Sequence, residues 1–201
     1  MATETLTINE KEEKKKKRMA WGITGSGEQL AETIETMTKI KKRYENKVDI
    51  NVYLSKAADQ VLKYYRLTDA LKESFSKIWI EINANAPFLA GQLQTGKFEF
   101  LLIAPATSNT VAKISMGIAD SLLTNAAIMA LKGFTPVYIV PSDYKEGTTT
   151  TKLPDGRDFR IRIREEDVEN VKKLTLMRDV FILEKPMDIN QVFKKHFRLD
   201  T

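Results

Sequence analysis

The sequence predicts an α/β fold: a single domain in which helices cover both faces of a doubly wound, mostly parallel sheet, in three layers. Apolar runs alternate along the chain with segments whose apolar residues recur three and four positions apart, which is typical of repeated strand–helix units. The run from Phe98 to Ala104 is apolar at nearly every position, as expected for a central strand covered on both faces. At 201 residues, the chain has the length of one such domain.

The first half of the chain predicts three strands with helices between them. Ser26, with Gln29 three residues later, fits a capping box at the start of the first helix. Pro87 ends the third helical pattern, because proline disfavours the helical conformation in the residue before it. In order, the predicted elements are a strand at 19–23, a helix at 27–44, a strand at 48–54, a helix from Ser55, a helical pattern from Leu71 to Ile82, a short helix at 88–93 and the central strand.

The second half predicts one long buried helix and then alternating strands and helices. Residues 118–131 are apolar nearly all round, so the helix after Pro105 is expected to contact more than one surface. Apolar and charged residues alternate strictly over 159–164, which indicates a peripheral strand with one solvent-exposed face. The remaining predictions are a strand at 136–140, a loop or hairpin at 148–156, a helix at 165–174, a last buried strand at 180–183 and a closing helix at 188–197.

Composition excludes several classes of chemistry. There is no cysteine, which excludes thiol nucleophiles, disulfides and iron–sulfur ligation, and no metal site is predicted. The one histidine, His196, lies among basic residues near the C-terminus and is expected on the surface. The net charge is +5, with a lysine run in residues 1–17; this segment is predicted to be a disordered tail before a domain at 18–201, without a nucleic-acid partner. No apolar stretch is long enough to cross a membrane, so a cytoplasmic protein is expected.

Two polar turns follow apolar runs and predict an anion-binding crevice. The first is Thr24-Gly25-Ser26-Gly27, and the second is Ala106-Thr107-Ser108-Asn109-Thr110. If both runs are parallel strands, each turn lies at a carboxyl end and opens a helix, where free N–H groups favour a phosphate. Helix capping alone is the alternative for both turns.

The residues at the end of the second predicted strand indicate which phosphate compounds the crevice could bind. The glycines of the first turn lack the spacing of the dinucleotide fingerprint, and Ser55-Lys56 stands where an acidic residue would bind a ribose. A hydroxyl and an ammonium group suit a phosphate better than a ribose diol. An NAD site is therefore not expected.

The second turn, with Lys113, Gly117 and Asp120 after it, closely resembles the signature of the flavin-dependent cysteine decarboxylase superfamily. The stretch 83–92 and the loop 143–147 are most similar to those of the archaeoflavoproteins. This resemblance implies a Rossmann-like sheet, bound FMN, and a homo-oligomer of three subunits or a multiple of three, with flavin near a subunit interface. It also implies electron transfer or flavin-dependent reduction, with electrons from ferredoxin or a similar acidic carrier.

The same resemblance implies a set of cofactor-binding residues and leaves no catalytic residue assigned. The first turn and Ser55 would hold the FMN phosphate, the second turn would meet the isoalloxazine edge, and the loop after the next strand would add further contacts. The residues implied are Thr24, Gly25, Ser26, Gly27, Ser55, Ala106, Thr107, Ser108, Asn109, Thr110, Ser142 and Asp143.

Two departures from the superfamily pattern argue against decarboxylation. Residues 84–96 contain no histidine, and Val140-Pro141-Ser142-Asp143 replaces the Pro-Ala-Met-Asn segment of the decarboxylases. The alternatives that stay open are a flavin prenyltransferase and a non-catalytic oligomeric module of the same fold.

Overall fold

The computed structural model describes residues 16–153 and 155–197. Its main sheet has six parallel strands in the order β3-β2-β1-β4-β5-β8, and a separate antiparallel hairpin is formed by β6 and β7. The strands are β1 (Lys17–Ile23), β2 (Val48–Leu54), β3 (Ile78–Ile80), β4 (Leu101–Ala106), β5 (Val137–Pro141), β6 (Gly147–Lys152), β7 (Asp158–Ile163) and β8 (Val180–Ile182). This order is that of a doubly wound Rossmann-like sheet, which confirms the predicted fold class.

Helices cover both faces of the sheet and complete three layers. The first face carries α1, α2, α3 and α8, and the second carries α4, α5, α6 and α7. The helices are α1 (Leu30–Arg43), α2 (Lys56–Tyr64), α3 (Thr68–Ser74), α4 (Ala90–Gln94), α5 (Ser108–Ser115), α6 (Leu122–Lys132), α7 (Glu165–Thr175) and α8 (Ile189–His196), with a 3-10 turn at Pro186–Asp188. Within the described ranges, no helix combines the length and apolar character that crossing a bilayer requires.

The two middle strands, β1 and β4, form the most buried part of the sheet. They pair in parallel, with Ala20 opposite Leu101 and Gly22 opposite Ile103. The indole of Trp21 donates a 2.8 Å hydrogen bond to the carbonyl of Ala104 and is fully buried. The prediction that the run ending at Ala104 is a central strand is confirmed, and the residues after β1 and β4 are held next to each other.

The predicted helical pattern from Leu71 to Ile82 is wrong in its second half. Helix α3 ends at Ser74, and β3 pairs in parallel with β2. Trp79 stacks on Tyr53 with ring centroids 5.0 Å apart. The apolar residues from Leu71 to Ile82 have helical spacing, which led to the wrong prediction. The β-branched and aromatic side chains of β3 instead favour a strand that packs in a sheet.

The predicted long helix after Pro105 is two helices. Helix α5 ends at Ser115, Gly117 adopts a left-handed φ of +72°, and Ser121 starts α6 through a capping box with Thr124. Glycine reaches that conformation without the strain that a side chain adds. The apolar residues after it therefore belong to a separate buried helix, α6.

Other boundaries differ less from the predictions. Strand β1 includes Lys17, the last residue of the predicted tail, while residues 1–15 lie outside the described part. Strand β8 is at the sheet edge, with Phe181 exposed. His196, predicted to lie on the surface, is half-buried, and its Nε2 lies 2.9 Å from the hydroxyl of Tyr138.

Candidate functional site

The two predicted turns meet at the carboxyl edge of the sheet. Strands β1 and β4 are neighbours, and their helices leave on opposite faces. The strand order therefore reverses between them, and in open α/β sheets ligands bind in the crevice outside that point. The residues after β1 and β4 form this crevice.

Thr24 joins the two turns. Its hydroxyl donates a 2.8 Å hydrogen bond to the carbonyl of Pro105 and accepts one of 2.8 Å from the N–H of Thr107. Its own N–H donates to the same Pro105 carbonyl at 3.2 Å. The side chain is buried, so Thr24 fixes the distance between the turns and has no hydroxyl proton left for a ligand.

The first turn approaches α2 closely. A Cβ at Gly25 would lie 2.6 Å from the Cβ of Ala57, and one at Gly27 would lie 2.6 Å from the ring of Tyr65. Within the described residues, the N–H groups of Gly25, Gly27 and Glu28 donate no hydrogen bond. The turn thus exposes several backbone donors, which is the feature that anion sites use.

The predicted capping box at Ser26 is wrong. Helix α1 begins at Leu30, and its N-cap is Gln29 with φ of 60°. The hydroxyl of Ser26 donates to the carbonyl of Glu28 at 3.3 Å. The turn is longer than a cap requires, because the six residues 24–29 lie between the end of β1 at Ile23 and the start of α1 at Leu30.

The second turn begins α5 with a side-chain cap. Thr107 is the N-cap, and its hydroxyl accepts the N–H of Thr110 at 3.3 Å. The hydroxyl of Ser108 donates to the carboxylate of Asp143, which also accepts the hydroxyl of Ser142 at 3.2 Å. Capping therefore accounts for Thr107, whereas Ser108 is directed toward the loop after β5.

These segments enclose a cavity of about 300 Å³. Seven residues of the predicted site line it, from both turns and from the loop after β5: Gly25, Ser26, Gly27, Thr107, Ser108, Ser142 and Asp143. The structure adds Glu28, Tyr65, Thr151 and Ile161. The last two belong to the β6–β7 hairpin, which covers one side of the cavity.

Two carboxylates give the cavity an acidic side. The pKa of Glu28 is raised, first by burial and then by the negative charge of Asp143, against a smaller opposite effect of the Thr149 side chain. The hydroxyls of Ser108 and Ser142 both donate to the carboxylate of Asp143. An anionic ligand would therefore be placed at the N–H groups of the first turn that are unpaired among the described residues, rather than at these carboxylates.

Besides Thr24, four predicted residues do not line the cavity. Ser55 is the N-cap of α2, where its hydroxyl accepts the N–H of Ala58 at 3.0 Å. Ala106 and Thr110 are buried in β4 and α5. Asn109 is exposed on the first turn of α5, and its side chain makes no hydrogen bond with the described residues.

Sequence comparison decides the family. The profile of the Flavoprotein family matches residues 7–153. The chain belongs to the Flavoprotein family. Both turns of the crevice lie inside the matched segment, and of the residues that line the cavity Ile161 lies outside it.

Several relatives extend this result. The chain is 48% identical to an uncharacterized protein of Methanocaldococcus jannaschii, covering 90% of this chain and 97% of that protein. It is 30% identical to a dihydromethanopterin reductase (acceptor) of the same organism, covering 88% and 95%. The crystal structure of DmrB from Burkholderia xenovorans in complex with FMN, a cubic protein cage for redox transfer, matches with a TM-score of 0.75 and 28% identity, covering 90% and 96%.

Proposed function

We propose that this Flavoprotein-family chain binds FMN in the crevice between β1 and β4 and uses it as a reductase or electron-transfer protein. The observation that carries the proposal is the meeting of the two turns around one cavity, where the N–H groups of Gly25 and Gly27 have no partner among the described residues. The relatives named as dihydromethanopterin reductases make a reduced pterin the substrate class to test first.

The first turn fits the phosphate end of FMN. Three N–H groups that donate no hydrogen bond within the described part of the chain, at Gly25, Gly27 and Glu28, can donate to phosphate oxygens. The hydroxyl of Ser26 can turn from the Glu28 carbonyl to add a fourth donor. Thr24 and Ser55 act indirectly in this proposal, because Thr24 ties the two turns together and Ser55 holds the start of α2 against Gly25.

The second turn and the loop after β5 fit the ring end. Ser108, Ser142 and Asp143 offer hydrogen-bonding groups at the cavity, and Asn109 presents a free amide beside them on α5. Ala106 and Thr110 support this turn from within β4 and α5. A cavity of about 300 Å³ is at the lower limit for cofactor sites, so part of the flavin would extend outside it.

This fit favours an assembly in which a second copy covers the flavin. The related DmrB forms a cubic cage, and cubic symmetry contains threefold axes. We therefore propose a homo-oligomer of three subunits or a multiple of three, with the flavin near a subunit interface.

When bound, FMN supplies the redox chemistry, and the protein orients it and excludes water. Because the chain has no cysteine, it cannot hold an iron–sulfur cluster through thiolates. Electrons are therefore proposed to come from a separate carrier, ferredoxin or a similar acidic protein.

Flavin binding tests the proposal directly. The purified protein is titrated with FMN and with riboflavin, and binding is followed by flavin fluorescence and by the shift of the unfolding temperature. FMN should bind tightly, and riboflavin, which lacks the phosphate, should bind at least about tenfold more weakly. Failure of both flavins to bind would refute the proposed function.

Two variants locate the two ends of the cofactor. Ser26→Asp places a negative charge in the first turn, so it should weaken FMN binding strongly and leave riboflavin binding little changed. Asn109→Ala should weaken both flavins to the same degree, because it alters the ring end only. Equal effects of Ser26→Asp on FMN and riboflavin would show that the phosphate lies elsewhere.

A further inference from the structure

The β6–β7 hairpin has two faces of different chemistry. In the register of the hairpin, Ile161 pairs with Thr149, and Ile161 faces the cavity. Successive side chains of a strand point to opposite faces, so Arg160 and Arg162 point away from the cavity. Their cross-strand partners on this outer face are Thr150 and Thr148.

The guanidinium groups of Arg160 and Arg162 have no ionic partner among the described residues. Both side chains are exposed. The neighbouring cations differ from them: Lys152 pairs with Asp158, and Arg164 pairs with Asp167 through two hydrogen bonds. The outer face therefore carries two uncompensated positive charges on a strand, with threonines opposite them.

The outer face of the hairpin lies directly over the cavity. The hairpin is one layer thick between solvent and the cavity that it covers with Thr151 and Ile161. A protein docked on the outer face would be separated from the crevice by this single layer of chain. Uncompensated charges speed the encounter of oppositely charged partners, by a factor of about 10 to 1,000 when the fields are complementary.

We infer that the outer face of the β6–β7 hairpin, centred on Arg160 and Arg162, is the docking surface for an acidic redox protein that delivers electrons to the crevice. The inference rests on the proposed function. Each docked carrier is oxidised by one electron, so two carriers supply the two electrons of a full flavin reduction, and solvent supplies the protons.

Binding and electron transfer are measured on the full chain with a plant-type two-iron ferredoxin as the acidic probe. The test variant is Arg160→Glu with Arg162→Glu. The control is Lys42→Glu with Arg43→Glu, which makes the same change in net charge at exposed positions near the end of α1. Helix α1 ends at the opposite edge of the sheet, where β2 begins.

The test variant should bind ferredoxin at least about tenfold more weakly at low salt and slow the reduction of FMN by reduced ferredoxin to a similar extent. Reduction by dithionite, a small reductant, should be unchanged. The difference between wild type and variant should disappear at about 1 M salt, where the screening length is about 3 Å. The control should remain within about twofold of wild type, and FMN binding should be unchanged in both variants.

Three results would overturn the inference. The first is equal ferredoxin binding by the wild type and the test variant, and the second is a loss of ferredoxin binding in the control as large as in the test variant. The third is that the test variant loses binding to duplex DNA or to anionic vesicles but keeps binding to ferredoxin. Ferredoxin binding is measured by calorimetry on protein with and without FMN. A failure of FMN to bind is therefore seen separately as a failure of the proposed function.

Discussion

Replacing Thr24 by valine should destabilise the protein by about 2–3 kcal/mol. Valine keeps the shape of threonine but removes the hydroxyl that links the two turns. The part-buried N–H of Thr107 loses its partner, and an unsatisfied donor costs about 1–3 kcal/mol when it is shielded from water. The Pro105 carbonyl loses the hydrogen bond from the Thr24 hydroxyl and keeps the 3.2 Å bond from the Thr24 N–H. Losing this one of two hydrogen bonds adds about 1 kcal/mol at most.

Urea unfolding followed by circular dichroism, at one fixed protein concentration, measures this free energy. Thr24→Ser is the matched control, because it keeps the hydroxyl and loses only a methyl group, and it should cost about 1 kcal/mol. The valine variant should also bind FMN more weakly than the serine variant, since the turns are no longer fixed together. If Thr24→Val is as stable as Thr24→Ser, the hydroxyl does not connect the turns and the reasoning fails.

Three further predictions concern other parts of the molecule. Gly25→Ala should weaken FMN binding and lower the unfolding temperature, because its Cβ would lie 2.6 Å from that of Ala57; unchanged binding in the FMN titration would contradict this close approach. Ser121→Ala should cost about 1 kcal/mol in urea unfolding by removing the capping box of α6, and a cost near zero would argue against that helix start. Burial, and then the positive charge of Lys195, lowers the pKa of His196 below its ordinary value of 6.5. Unfolding therefore takes up a proton below about pH 6.5, and the free energy of unfolding decreases as the pH falls through that range. His196→Gln should show a smaller decrease, and parallel stability curves for the variant and the wild type would count against this prediction.

The fold class followed from the sequence because burial imposes a visible pattern. The central strand is nearly all apolar, and α1 has its buried residues three and four apart. The split between α5 and α6 was also readable in principle, since Gly117 and the Ser121–Thr124 pair mark a helix end and a helix start. Strand β3 was not, because three residues are too few to establish a period and its pairing with β2 is a tertiary contact.

The site was predictable where glycines and hydroxyls follow apolar strands. The two turns could be located because parallel strands end at one edge of a sheet. The sequence did not reveal Glu28 and Tyr65, which approach the cavity through the packing of the first turn on α2. The hydroxyls of Ser55 and Thr107 cap helices, whereas the hydroxyl of Ser108 reaches Asp143. The sequence could not distinguish these roles, because all three are hydroxyl residues just after a strand.

The β6–β7 hairpin forms a sheet of its own, and its described residues make no ladder hydrogen bonds to the six-stranded sheet. It is inserted between β5 and α7, so its length and side chains can change without disturbing the register of any core strand. Evolution or engineering can thus exchange this one appendage to alter which molecules reach the crevice, while the two turns at the ends of β1 and β4 stay the same.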